Sequence, residues 1–292
     1  MKVKNIVIIG GSGFIGSHTA DELSRQGHKV KLFDRSPSQW IRNDQEQVIG
    51  DILDRDLIGK VISGADIVYH FASIADISEA KERPYDTMQV NVMGVTIALE
   101  AAVKAKISRF VYASTMYVYS PYGSFYRASK QAAELILEAY SEKSGLEYTI
   151  LRYGSLYGPR SQDWNGLKLF VRQAVLEKKL NLTGDGLEKR EFIHVFDAAR
   201  LSVDILTDEF INKAITVTGH QVLNLLELAA MIFEISGVEE DVRFLDKGRW
   251  GDRYNITPYR YTPKKAMKLT SEKFVDLGQG ILDLVEEVYQ DV

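Results

Sequence analysis

The chain contains no cysteine. That excludes disulfides, thiolate-held zinc, iron–sulfur ligation and a cysteine nucleophile, and it fits a reducing compartment. Histidine is scarce, 5 in all, and none falls in a ligand spacing such as His-Glu-x-x-His, so no metal site is expected. Long apolar runs are also missing. The opening Met1–Ile9 meets glycine at Gly10, too early for a signal-peptide core or a membrane span. A cytoplasmic protein with no membrane partner is the expectation. Neither sign of charge dominates, with 36 basic and 40 acidic residues, so nothing marks the chain for nucleic acid. No repeat or low-complexity tract appears. What remains is ordinary globular material: 45% hydrophobic residues in 292 positions, enough for one large domain or two intimate ones.

The first half alternates short apolar runs with segments of helical spacing. Strands are predicted over 5–9, 29–33, 47–49, 67–71, 109–113 and 148–153, and helices over 14–26, 56–62, 88–104 and 129–142. Most of these strands are continuously apolar, as in a parallel sheet covered on both faces. The pattern predicts a doubly wound parallel α/β (Rossmann) sheet over 1–155. A smaller, interwoven C-terminal substrate domain follows over 156–292, with part of 192–218 returning to the first unit. Within it a helix is expected over 166–179, a strand over 214–218 and a helix over 224–236.

Val7-Ile8-Ile9 runs into Gly10-Gly11-Ser12-Gly13-Phe14-Ile15-Gly16. Glycines three apart between a strand and a helix allow a tight turn, bring backbone N–H groups close to a pyrophosphate and let the helix pack on the sheet. Asp34 ends the second strand about 20 residues later, where an acid accepts from adenosine ribose hydroxyls and repels a 2′-phosphate. NAD is therefore expected over NADP. Arg35 either greets a 2′-phosphate, stacks on adenine or faces solvent. Asp51, before Ile52, either binds the adenine amino group or shapes a turn.

Tyr126 and Lys130 lie four apart, on one face of a helix. Thr115 follows the fifth strand, at the edge where open α/β sheets bind ligands. A phenol of pKa ~10 is a poor base at neutral pH. A neighbouring ammonium and a bound nicotinamide cation stabilise its phenolate, which then takes a proton from a substrate hydroxyl. Thr115 would orient that oxygen.

These segments together resemble the extended short-chain dehydrogenase/reductase family, in its nucleotide-sugar epimerase/dehydratase branch. The resemblance spans nearly the whole chain. It rests on Gly10–Gly16, Asp34, Asp51-Ile52, His70-Phe-Ala-Ser73, Asn91, Ser114–Tyr119, Tyr126–Lys130, Leu151–Arg160 and Arg190–Val195. It implies NAD as cofactor, bordered by Phe71, Ala72, Ser73 and Asn91. It also implies Tyr126 as acid/base, Lys130 on the nicotinamide ribose and Thr115 at the reacting hydroxyl. For a nucleotide-diphosphate sugar it implies contacts from Ser73, Ser155, Asn165, Arg190, Arg249 and Asp252, the arginines on phosphate and Asp252 on a ribose. A homodimer through a four-helix bundle, built from the helices around 88–104 and 129–142, is the implied assembly.

The resemblance also narrows the reaction. The 4,6-dehydratases carry Asp-Glu after the threonine, and the sugar-nucleotide decarboxylases a glutamate in the same segment. Here Met116-Tyr117 stand there. The cysteine that the GDP-fucose synthase type uses for epimerisation is absent. Oxidation at C4 with return of hydride to the turned 4-keto sugar remains, which makes a 4-epimerase. A nucleotide-sugar 4-dehydrogenase or 4-keto reductase is the alternative, and an NAD-binding sensor or scaffold the non-enzymatic one. Two departures bear on the substrate: the short step from Thr115 to Tyr126, and Ser155 where many relatives carry asparagine.

Overall fold

A computed structural model of the chain describes residues 2–245, 267–270 and 273–290. The elements of the first half are β1 (Asn5–Ile9), α1 (Phe14–Arg25), β2 (Lys29–Asp34), β3 (Gln45–Ile49), α2 (Arg55–Ile62) and β4 (Ile67–His70). They continue through α3 (Ile77–Glu82), α4 (Pro84–Met88), α5 (Gly94–Ala105), β5 (Arg109–Thr115), α6 (Ser124–Ser144) and β6 (Tyr148–Tyr153). The second half runs β7 (Ser155–Tyr157), α7 (Gly166–Arg172), β8 (Leu180–Thr183), β9 (Lys189–His194), α8 (Val195–Asp204) and β10 (Lys213–Val217). It ends with β11 (Val222–Asn224), α9 (Leu225–Ser236), β12 (Val242–Leu245), β13 (Met267–Leu269) and α10 (Leu277–Gln290).

Eight strands form one sheet in the order β13-β10-β6-β5-β4-β1-β2-β3. Every pairing in it is parallel. The strand order reverses between β1 and β4, which opens a crevice at their carboxyl ends. The apolar runs explain this sheet: all of β5 and nearly all of β1 are buried, because helices cover both faces. One face packs Val7, Phe110 and Ile150 against α2, α5 and α6, and the other packs Ile8, Val111 and Leu151 against α1 and α8.

The fold class is as expected, but the boundaries shift. The expected helix over 88–104 is a broken one: α4, a wide π turn over 89–93, then α5. α6 begins at Ser124, five residues before the predicted start, so Tyr126 and Lys130 do share a helix. The second half supplies β10 and β13 to the main sheet. α8 packs on that sheet, and α7, β8, α9 and α10 gather around a separate core of Leu167, Val171, Leu228, Ile232, Ile281 and Leu284. That unit stands over the carboxyl edge of the sheet and closes the crevice from above.

Candidate active site

The glycine loop is cut to fit. Gly10 has φ +86°, and a Cβ there would stand 2.4 Å from the Ala72 nitrogen; a Cβ on Gly16 would stand 2.2 Å from the Gly10 oxygen. Only glycine allows these approaches. Gly13 precedes α1 with no side-chain cap and no acid in the first turn, leaving the helix N-terminal N–H groups for an anion. Asp34 is tied to the loop, its carboxylate accepting from Ser12 N at 3.0 Å and Ser36 N at 3.3 Å. Gln47 on β3 completes this corner by donating to Ser12 Oγ at 3.0 Å and to the Ser36 oxygen at 3.1 Å. Sequence reasoning passed over Gln47, whose polar side chain in a short edge strand was the available signal.

From this loop a single cavity of about 760 Å³ runs along the strand ends and under the C-terminal unit. Gly10, Gly13, Phe14, Ile15, Gly16, Asp34, Arg35, Asp51 and Ile52 border one end. Phe71, Ala72 and Ser73 follow, then Thr115, Tyr126 and Lys130, and beyond them Ser155, Asn165 and Arg190. Asp51 also accepts from Leu53 N at 2.9 Å, so the turn-forming role is realised there.

Asn91 is the exception, a buried clamp that does not border the cavity. Its amide accepts from Ile74 N at 2.7 Å and donates to Ile74 O and Ser129 Oγ, both at 3.0 Å. The π turn in which it sits aims it at this loop backbone, so it fixes the segment after β4 against α6. Arg249 and Asp252 lie outside the described residues. His194 does not border this cavity; its ring packs 4.7 Å from Phe196 and 5.2 Å from Tyr157, and burial lowers its pKa to about 4.

At the centre, Lys130 Nζ donates to the Ala113 oxygen at 2.8 Å and sits 5.8 Å from the Tyr126 ring centroid. Burial lowers its pKa to about 7, with the Glu134 carboxylate opposing the shift. Thr115 ends β5, its Oγ1 accepting from Tyr117 N at 3.2 Å. The Tyr117 ring stands edge-on to Tyr126, 6.3 Å between centroids. Gly123, φ +100°, lets the short connecting loop press on Tyr117, where a Cβ would come within 2.7 Å of the ring.

Behind these residues lies a network that sequence reasoning missed. Arg152 is fully buried in β6 and donates to Glu134 through Nε at 3.0 Å and Nη2 at 2.6 Å. Its Nη1 donates to Tyr119 Oη at 2.5 Å. Ser114 Oγ donates to Glu134 Oε1 at 2.5 Å. The pair therefore braces both ends of the segment that carries Thr115. The signals were present: Tyr126, Lys130 and Glu134 recur every four residues on one helix face, and Arg152 interrupts an apolar strand.

Residues 6–217 match the model of the NAD dependent epimerase/dehydratase family. The chain belongs to that family. It is an NAD-dependent enzyme of the extended short-chain dehydrogenase/reductase type, and the glycine cradle and Asp34 fit the dinucleotide. Among curated family members it is 29% identical to a putative UDP-glucose 4-epimerase of Methanocaldococcus jannaschii, over 96% of this chain and 97% of the other. It is 28% identical to a UDP-N-acetyl-alpha-D-glucosaminuronate decarboxylase of Bacillus cytotoxicus, over 80% of each. A solved structure of the UDP-glucuronic acid 4-epimerase of Bacillus cereus, in complex with UDP-glucuronic acid and NAD, shares the fold. Its TM-score is 0.84 at 24% identity, over 99% of this chain and 100% of that one.

Proposed function

We propose that this family member is a nucleotide-sugar 4-epimerase acting through a transient 4-keto sugar. The observation that carries the reading is the wall formed by Thr115, Tyr126 and Lys130, midway along a cavity that continues from the glycine loop to Arg190. NAD bound at that loop supplies reversible hydride transfer at the sugar carbon. The chain's own residues do the rest. Thr115 holds the C4 hydroxyl, and the Tyr126 oxygen takes its proton and later returns it. Lys130 favours the phenolate by its charge. Arg190 gives the diphosphate a cationic partner, a role suited to a guanidinium fork, and Asn165 and Ser155 border the same stretch. Met116 and Tyr117 follow Thr115, so that segment brings no carboxylate for elimination or for handling a sugar acid. The cavity gives the keto sugar room to present its other face.

We further read the molecule as a cytoplasmic homodimer. Leu135 on α6 is 58% exposed and Met93, just before α5, 38% exposed, an apolar face suited to a second copy. Among the described residues no helix is long and apolar enough to cross a membrane.

The test is incubation of the holoenzyme with a panel of nucleotide sugars, read by mass spectrometry and proton NMR. Unchanged mass with inverted C4 supports the epimerase. A two-hydrogen change matched by cofactor turnover supports the 4-dehydrogenase or 4-keto reductase instead, and loss of water or carbon dioxide overturns both. Tyr126→Phe should lower turnover by about 10²–10⁴-fold while the protein still carries NAD. Tight NAD binding with no tyrosine-dependent turnover on any sugar would identify a sensor.

A further inference from the structure

Lys130 carries its charge in a place nearly closed to water. It is 3% exposed, and its Nζ donates to the Ala113 oxygen at 2.8 Å. Burial works against the charge, bringing its pKa to about 7. The reading above needs that charge, because an uncharged amine does nothing to make the Tyr126 phenol acidic. The charged and titratable groups around it give it little help. On α6, Glu134 lies one turn beyond, but its carboxylate already accepts from Arg152 and Ser114. On β4, His70 is fully buried and lowered to about 3, so it is neutral at working pH. On β6, the positive charge of Arg152 is paired with Glu134 at 2.6 Å.

β5 supplies a further partner. Tyr112, on the same strand as Thr115, is fully buried, and the Lys130 Nζ stands over its ring, 5.1 Å from the centroid. Lys130 borders the cavity and Tyr112 does not, so the ring backs the ammonium from the protein side. The face of an aromatic ring is negative and attracts a cation within about 6 Å, most strongly where water is excluded. The His70 ring packs against Tyr112, 6.0 Å between centroids. The Tyr112 hydroxyl contributes nothing comparable. Its oxygen is buried with no hydrogen-bond partner among the described residues, and burial raises its pKa, so it offers the site no base.

We propose that Tyr112 is a positioning residue for the acid/base pair, its ring face holding the Lys130 ammonium charged and in place beside Tyr126. Its part in turnover rests on the reading of Tyr126 as the acid/base; the contact between ring and ammonium does not. Lys130 and Tyr126 share protons. The form with ammonium and phenolate is ready to accept the substrate proton, whereas the form with amine and phenol holds the same number of protons and is not. The Tyr112 ring favours the first form. It acts through its face, so another aromatic ring of that shape serves equally, while a ring stripped of its negative face does not.

NMR titration of the NAD-loaded protein, isotopically labelled at the lysine Cε, reads the protonation midpoint of Lys130, whose signal is assigned by its loss in Lys130→Met. Phenylalanine and then its mono-, di- and trifluorinated analogues replace Tyr112, a series that keeps the ring's shape while draining charge from its face. Tyr112→Phe should leave the midpoint near the wild-type value. Fluorination should lower it stepwise, by about 0.4–1.5 in pH at three fluorines. Turnover of the sugar found by the panel above should fall in parallel, about 2- to 30-fold in kcat with KM little changed, since Tyr112 stands outside the cavity wall. A midpoint constant through the series overturns the proposal, as does a Tyr112→Phe midpoint as low as that of the trifluorinated ring. A stepwise fall in the midpoint with kcat unchanged overturns it too, because the ring then does not serve the acid/base pair. If the midpoint falls stepwise and no nucleotide sugar turns over, the contact between ring and lysine stands and the nucleotide-sugar reading fails.

Discussion

Glu134→Gln is the sharpest probe of how the active-site wall is supported. The Arg152 side chain is 0% exposed and that of Glu134 5%, with 2.6 Å between Nη2 and Oε2. Glu134 accepts three hydrogen bonds, two from Arg152 and one from Ser114. A glutamine keeps one acceptor oxygen but turns an amide donor toward a guanidinium that also only donates. The charge of Arg152 is then buried without its counter-ion. Breaking one side of such a pair costs about 3–5 kcal/mol. At about 2 °C per kcal/mol for a chain of this size, the unfolding midpoint should fall by about 6–10 °C. Differential scanning calorimetry of the two proteins at pH 7, matched for NAD content, measures it. Glu134→Leu combined with Arg152→Met should recover part of the loss, because no uncompensated charge remains. A fall below about 2 °C for Glu134→Gln would refute the reasoning, since it would show that solvent reaches the pair.

Two titrations and one assembly test follow. Burial lowers His70 to about 3, and both its ring nitrogens are buried with no hydrogen-bond partner among the described residues. The unfolded chain binds this proton below 6.5, so stability should fall as pH drops from 6.5 toward 3, by about 2 kcal/mol from this group between pH 7 and 5. Urea unfolding of His70→Leu should show a correspondingly shallower loss, and an unchanged slope would contradict the assignment. Lys130, lowered by burial to about 7 from 10.5, works in the alkaline direction. Between those values the unfolded chain holds a proton that the folded one has released, so raising the pH favours folding. The stability advantage of Lys130→Met over wild type should shrink from pH 7 to pH 10, and a constant gap over that range would sink the idea. Leu135→Lys should convert the proposed dimer to a monomer in sedimentation equilibrium, with the fold retained by circular dichroism.

Local chemistry made much of this protein legible in advance. A strand buried on both faces must be continuously apolar, so β1, β5 and β6 announce a parallel sheet in one dimension. A dinucleotide turn needs glycine wherever a Cβ would strike backbone, so Gly10 and Gly16 are visible without coordinates. Tyr126 and Lys130 sit one helical turn apart, and their juxtaposition follows from helix geometry alone. Other features depend on contacts between distant segments. Asn91 matched a cofactor-binding pattern, yet its π turn directs it to Ile74 and Ser129. Arg152 is stable inside a strand only because α6 brings Glu134 across the sheet, a pairing of residues 18 apart. Sequence pattern therefore determined the sheet, the glycine loop and the juxtaposition of Tyr126 and Lys130, because each is set by neighbours along the chain. Tertiary structure decided which buried charges are paired, because burial and pairing exist only once remote segments meet.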